Sequence, residues 1–185
     1  SSGLSWHNCG RTWITGCEIT AFGHAGVGGN EQGVTLLRNW IHHNGVSGLN
    51  HGIYWAGEGP SWVIGNTFYG NSGWAFHNHQ GAYDGWQGWK HNVHHNLFIG
   101  PGGAIVTTGS RGRFLNNTII RASNAAFWFY NDGHRDNSIA NNIIVESSNS
   151  IHSRDGNVFS HNLTHSSEET FMGDDPVKGD PQFIA

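Results

Sequence analysis

The chain has 185 residues, enough for one domain with its own core. Only 12% of residues are charged, 12% are aromatic and Gly contributes 28, a composition that excludes a disordered chain. Net charge is −4 with neutral histidines, and the 9 Lys and Arg are scattered along the sequence without a basic stripe, so no nucleic-acid partner is expected.

No apolar run approaches the roughly 18 residues of a membrane span. Gly, Asn, His and Trp are modest or poor helix formers, which argues against a helical protein. The chain opens on Ser1 without a signal peptide, so the expectation is a removed leader or a segment of a longer chain. Cys9 and Cys17 are too few for a disulfide framework, and a bridge between them across one coil would be strained.

Along the chain a small polar anchor recurs before an alternating apolar pattern: Cys17, Asn39, Asn66, Asn96, Asn117, Asn142 and Asn162, spaced 20 to 30 residues apart. Three residues before each anchor stands an apolar residue: Ile14, Leu36, Val63, Val93, Phe114, Ile139 and Phe159. Two residues after it comes Ile19, Ile41, Phe68, Phe98, Ile119 or Ile144, the pattern failing at Thr164. About ten residues on lies a third column: Val27, Ile53, Phe76, Ile105, Phe127 and Ile151. Short strands of period two, three per repeat and broken by Gly and Asn, describe the coil of a parallel β-helix. Stacked coils lie about 4.8 Å apart, so the apolar columns form a continuous interior. The Asn column reads as structural, because each amide can donate to and accept from its neighbours. Cys17 in that column reads as a buried thiol.

The pattern resembles the right-handed parallel β-helix proteins of the pectate-lyase-like superfamily. The likeness covers residues 3 to 165 and rests on His51-Gly52-Ile53-Tyr54-Trp55, Gly65 to Asn71, Asn96-Leu97-Phe98 and Asn116 to Ile120. It implies an all-β solenoid of about seven coils over residues 1–165, with residues 166–185 as a C-terminal capping segment. Gly3 to Trp6 aligns with Gly52 to Trp55, so the chain starts inside a coil, and upstream coils or self-association are expected to cover that end. Members of the superfamily cleave, hydrolyse, epimerise or merely bind glycans. The expected function is therefore action on a polysaccharide outside the cell, with elimination on an acidic, uronate-containing chain favoured over hydrolysis. The alternative is a non-catalytic glycan-binding or structural module of an adhesin, spike or fibre.

Coil length locates the expected site. The longest excess is His79 to His91, and the second-longest coil, Asn39 to Asn66, carries Gly45 to Asn50 and Gly57 to Pro60; the coils are adjacent, so these loops should form one wall. On the third strand of each coil the outward residues are Gly28, Tyr54, His77, Val106, Trp128 and His152, followed two residues later by Ala56, His79 and Tyr130 among others. Aromatic rings on an outer sheet suit sugars, whose C–H faces stack while their hydroxyls seek polar groups. Tyr83, Trp86, Trp89, Trp128, Tyr130 and His51 are the candidate substrate contacts. Elimination needs a group to neutralise the uronate, a base and an acid. Lys90, Arg111 or Arg113 are candidates for the first, His77, His79 or His91 for the base, and Tyr54 or Tyr83 for the acid. A hydrolase would want paired carboxylates, for which Glu58 with Asp84, or Asp132 with Asp136, are the candidates. Calcium at Glu58 and Asp84 is a further candidate, as is zinc at His77, His79 and His51; His94 and His95, adjacent on a strand, should point oppositely.

Overall fold

The computed structural model describes residues 2–6, 10–29, 33–56, 60–78, 90–100, 102–107, 110–129, 136–148, 151–152, 156–167 and 174–183. These residues form strands and turns, and none of them is helical. Three sheets contain seven, seven and eight strands, and each strand up to Ile143–Val145 pairs in parallel with the strand three further along the chain, while the final strand, Val177–Lys178, pairs with the one just before it. The result is a parallel β-solenoid. In the first and second sheets five strands have a neighbour on both sides, so five fully stacked turns are bounded by one end turn at either edge, against the expectation of about seven coils.

The first sheet holds Val27–Gly29, Ile53–Trp55, Trp74–Asn78, Gly103–Thr107 and Phe127–Phe129 between its two end strands. The second holds Thr12–Thr15, Val34–Leu37, Ser61–Ile64, Asn92–His94, Arg113–Leu115, Ser138–Ala140 and Val158–Ser160. The third runs from Glu18–Thr20 to Leu163–His165 and is extended by Val177–Lys178. The three apolar columns predicted from spacing are the interior. Val27, Ile53, Phe76, Ile105 and Phe127 stand in register on the first sheet, and all are fully buried. Phe68 and Phe98 stack across one coil step at 4.8 Å, the spacing that parallel pairing imposes.

The Asn column is a buried ladder. From Asn66 on, each side-chain oxygen accepts from the preceding anchor's backbone N–H and from its Nδ2, as Asn96 Oδ1 does from Asn66 at 2.9 and 3.1 Å. Each Nδ2 also donates to a carbonyl of the preceding coil, as Asn96 does to Val63 at 2.8 Å. Cys17 occupies the first rung and donates its N–H to Asn39 Oδ1, but its thiol is exposed and not buried as expected, because it lies on the end turn where only one side is stacked. Cys9 is outside the described residues.

Two further ladders flank the first. Five residues after the anchors, Asn44 N–H and Nδ2 both donate to Asn71 Oδ1, and Ala122 N–H and Ser147 N–H donate to Ser147 Oγ and Ser167 Oγ. Five residues before the anchors, Gly112 N–H donates to Asn137 Oδ1, and Asn137 to Asn157 Oδ1. The corners themselves need left-handed backbone. Gly16, Arg38, Gly65, His95, Asn116, Asn141 and His161, each just before an anchor, all have φ between 53° and 64°. Gly, Asn and His accept this region most readily, so the loop-like composition is what lets the chain turn at fixed places. From five before an anchor to five after, as in Ser61 to Asn71 or Asn137 to Ser147, the arc has constant length. All variation in coil length falls on either side of the first sheet.

Candidate functional site

An open pocket of about 540 Å³ lies on the outer face of the first sheet. Period-two alternation brings Tyr54, His77, Val106 and Trp128 into one outward column, in the register expected from the sequence. The turn His43–Asn50 supplies a wall through Gly48 and Leu49. That turn is closed by Asn50 Oδ1, which accepts from Val46 N–H and Ser47 Oγ. Trp74 completes the floor, edge-on to Trp128 with ring centroids 5.9 Å apart. Its indole has room only because Gly103, in register on the next strand, has no side chain: a Cβ there would overlap atoms of the six-membered ring of Trp74.

The polar heart is a chain of imidazoles whose proton positions follow from one unambiguous donor. Trp74 backbone N–H donates to His51 Nδ1 at 3.0 Å, so that nitrogen carries no proton. His51 is then protonated at Nε2, which donates to His77 Nδ1 at 2.9 Å. His77 Nδ1 is thereby committed as an acceptor, and the remaining proton of the neutral ring sits on Nε2. In this arrangement His77 offers a donor and not the free lone pair expected of a base. Tyr54 stacks on His51 at 5.6 Å and meets His77 edge-on at 5.2 Å.

His51 is pushed down from its ordinary 6.5 to about 4, first by burial and then by the neighbouring His24. The unfolded chain therefore binds a proton here before the folded chain does. Stability is full above the unfolded value near 6.5 and falls as the pH drops toward about 4. Urea midpoints measured across this window should decline with acid, and His51→Asn, which keeps an acceptor for Trp74 N–H without a titrating ring, should flatten the decline.

The structure gathers only part of the expected site. Tyr54, His77, Trp128 and His51 converge on the pocket. His79, Tyr83, Asp84, Trp86, Trp89, Tyr130, Glu58 and Asp132 lie outside the described residues, and with them the proposed calcium pair. Lys90 and Arg111 are exposed in turns leading to the second sheet and do not line the pocket; Arg111 lies 4.0 Å from Asp136. His91 is a correction. It is fully buried, its Nδ1 pairs with Ser61 Oγ at 2.7 Å, and it fills the interior corner ladder five residues before Asn96. A base candidate there has no path to a surface ligand.

His94 and His95 do not point oppositely, because His95 is a left-handed corner residue with φ 57°. Their Nδ1 atoms meet at 2.9 Å, and burial, then His95, lowers the pKa of His94. Among the described residues no group of three His, Cys, Asp or Glu is placed to hold a metal ion. His24, Trp74 and Asn124 line the pocket without having been read from the sequence, whereas Leu49 belongs to the Gly45 to Asn50 loop located by coil length. Trp74 had a signal: it precedes Phe76 by two residues, as His51 precedes Ile53.

Fold and site together define a parallel β-solenoid with an aromatic pocket on one outer sheet. No protein-family model, curated protein or solved structure matches the chain.

Proposed function

We propose that this protein binds a polysaccharide along the outer face of the first sheet, with the pocket at Tyr54, His77, Trp74 and Trp128 as a sugar subsite. The observation that carries this reading is the pairing of the half-buried Tyr54 and Trp128 rings with imidazoles fixed in place on a sheet. Sugar C–H faces pack on indole and phenol rings, and hydroxyls take the polar groups between them. The pectate-lyase-like resemblance of the coil pattern points the same way. The described lining carries no Lys, Arg, Asp or Glu, which favours a binding role over an elimination centre at this pocket.

Affinity electrophoresis through gels containing neutral or acidic polysaccharides tests the reading. At least one polymer should retard the protein, and Trp128→Ala should weaken that retardation about tenfold. Unchanged mobility of Trp128→Ala in every gel refutes it. Elimination on a uronate is the second reading, favoured by the His77 donor beside Tyr54. It predicts growth of unsaturated-uronate absorbance on an acidic polymer, lost in Tyr54→Phe.

A further inference from the structure

The second sheet carries an outward column that no part of the pocket uses: Trp13, Thr35, Trp62, Asn92, Arg113 and Ser138, in register across successive coils. Trp13 is 66% exposed. Arg11 belongs to the same coil as Trp13, yet its guanidinium carbon lies 4.2 Å from the ring centroid of Trp62, two coils on. It must cross the coil between, and Thr35 beneath it keeps only 8% exposure although it faces outward. Large or cationic groups therefore recur at every second coil: Trp13, then Trp62 under Arg11, then Arg113. With coils about 4.8 Å apart, that interval is roughly 10 Å.

Cationic residues gather in and beside this sheet despite the net −4 of the chain. Arg11, Lys90 and Arg111 directly precede or nearly precede second-sheet strands, Arg38 directly follows one, and Arg113 lies within one. Those are five of the 9 Lys and Arg, scattered in sequence but gathered by the coil. Among the described residues no carboxylate pairs with Arg11, Arg38 or Arg113. A guanidinium held over an indole face is kept in place, and its N–H groups can grip a carboxylate with two parallel bonds.

We propose that the outer face of the second sheet binds a uronate-bearing polysaccharide laid along the solenoid axis, with a sugar stacked on Trp13 and carboxylates held by Arg11 and Arg113. An extended glycan whose successive rings alternate in facing presents the same face at every second sugar, as this column does at every second coil. This site is separate from the first-sheet pocket and does not depend on it. A nucleic acid fits less well, since three unpaired guanidiniums spread over five coils match few of its closely spaced phosphates.

Titration calorimetry of the whole chain with polygalacturonate oligomers tests the proposal, with dextran, dextran sulfate and single-stranded DNA as comparisons. Polygalacturonate should bind, more weakly as salt rises, and dextran should not. Trp13→Ala should weaken it about tenfold and Arg113→Gln about fivefold with a shallower salt dependence. Both side chains are exposed, and circular dichroism should show the coil unchanged. Failure of Trp13→Ala and Arg113→Gln to weaken binding overturns this site, whatever Trp128→Ala does at the pocket. Binding of dextran sulfate or DNA as tight as that of polygalacturonate overturns the uronate assignment.

Discussion

Asn96→Ala is expected to lower the unfolding free energy by about 3–5 kcal/mol. The residue sits mid-ladder and is almost fully buried. Its removal strips an acceptor from Asn66 N–H and Nδ2 and a donor from Val63 C=O and Asn117 Oδ1. Water cannot replace these partners inside the coil, and each buried orphan costs roughly 1–3 kcal/mol. Asn92→Ala, four residues earlier and on the outer face, is the comparison and should cost under about 0.5 kcal/mol. Denaturant midpoints for the two variants check the claim. Equal midpoints would mean that the apolar columns hold the stack without the amides.

Gly102→Ala should cost about 3 kcal/mol or more, for a different reason. The new Cβ would fall on the Gly73 carbonyl oxygen of the preceding coil, with the Gly73 carbonyl carbon 2.7 Å and Asn71 O 2.9 Å away. All three are backbone atoms, so no rotamer change relieves the overlap and the two coils must part. Gly10→Ala is the counterpart. A Cβ there meets nothing within 4 Å, and the lost chain entropy should leave the protein as stable or slightly more so. Thermal unfolding separates the two, and a red-shifted tryptophan emission in Gly102→Ala would report Trp74 leaving its seat above neighbouring Gly103.

What could be read from the sequence was whatever repeats once per coil. The anchors announce themselves because Asn-x-Ile or Asn-x-Phe recurs with an apolar residue three positions earlier, and the interior followed from them. The Tyr54, His77 and Trp128 column followed from the alternation next to Ile53, Phe76 and Phe127. The second ladder did not, because Asn44 and Asn71 are separated from Ser147 and Ser167 by Ala122, which contributes only its backbone. His91 was misplaced because it ends a long insertion and so looked like loop, while its distance from Asn96 makes it a corner residue. Trp13 and Trp62 were passed over, and Arg113 was named without its column, since their period is two coils and a comparison of adjacent repeats sees Trp13 against Thr35 and Trp62 against Asn92. The imidazole chain was out of reach for a further reason. His51 and His77 meet through a turn conformation that lets Trp74 N–H select the tautomer, and no spacing encodes that.

The eleven-residue arc from Ser61 to Asn71, repeated at the same length in the neighbouring coils, divides each turn into a template and a freely editable remainder. The template holds all three polar ladders, the left-handed corner before each anchor and two of the three sheets. A residue inserted there would shift a rung and misalign the coils above and below. A residue inserted in the remainder lengthens a loop beside the first sheet and leaves every rung in phase. Natural variation can therefore rework the pocket wall one coil at a time, whereas the second-sheet face, locked to the template, can change only by substitution at fixed sites.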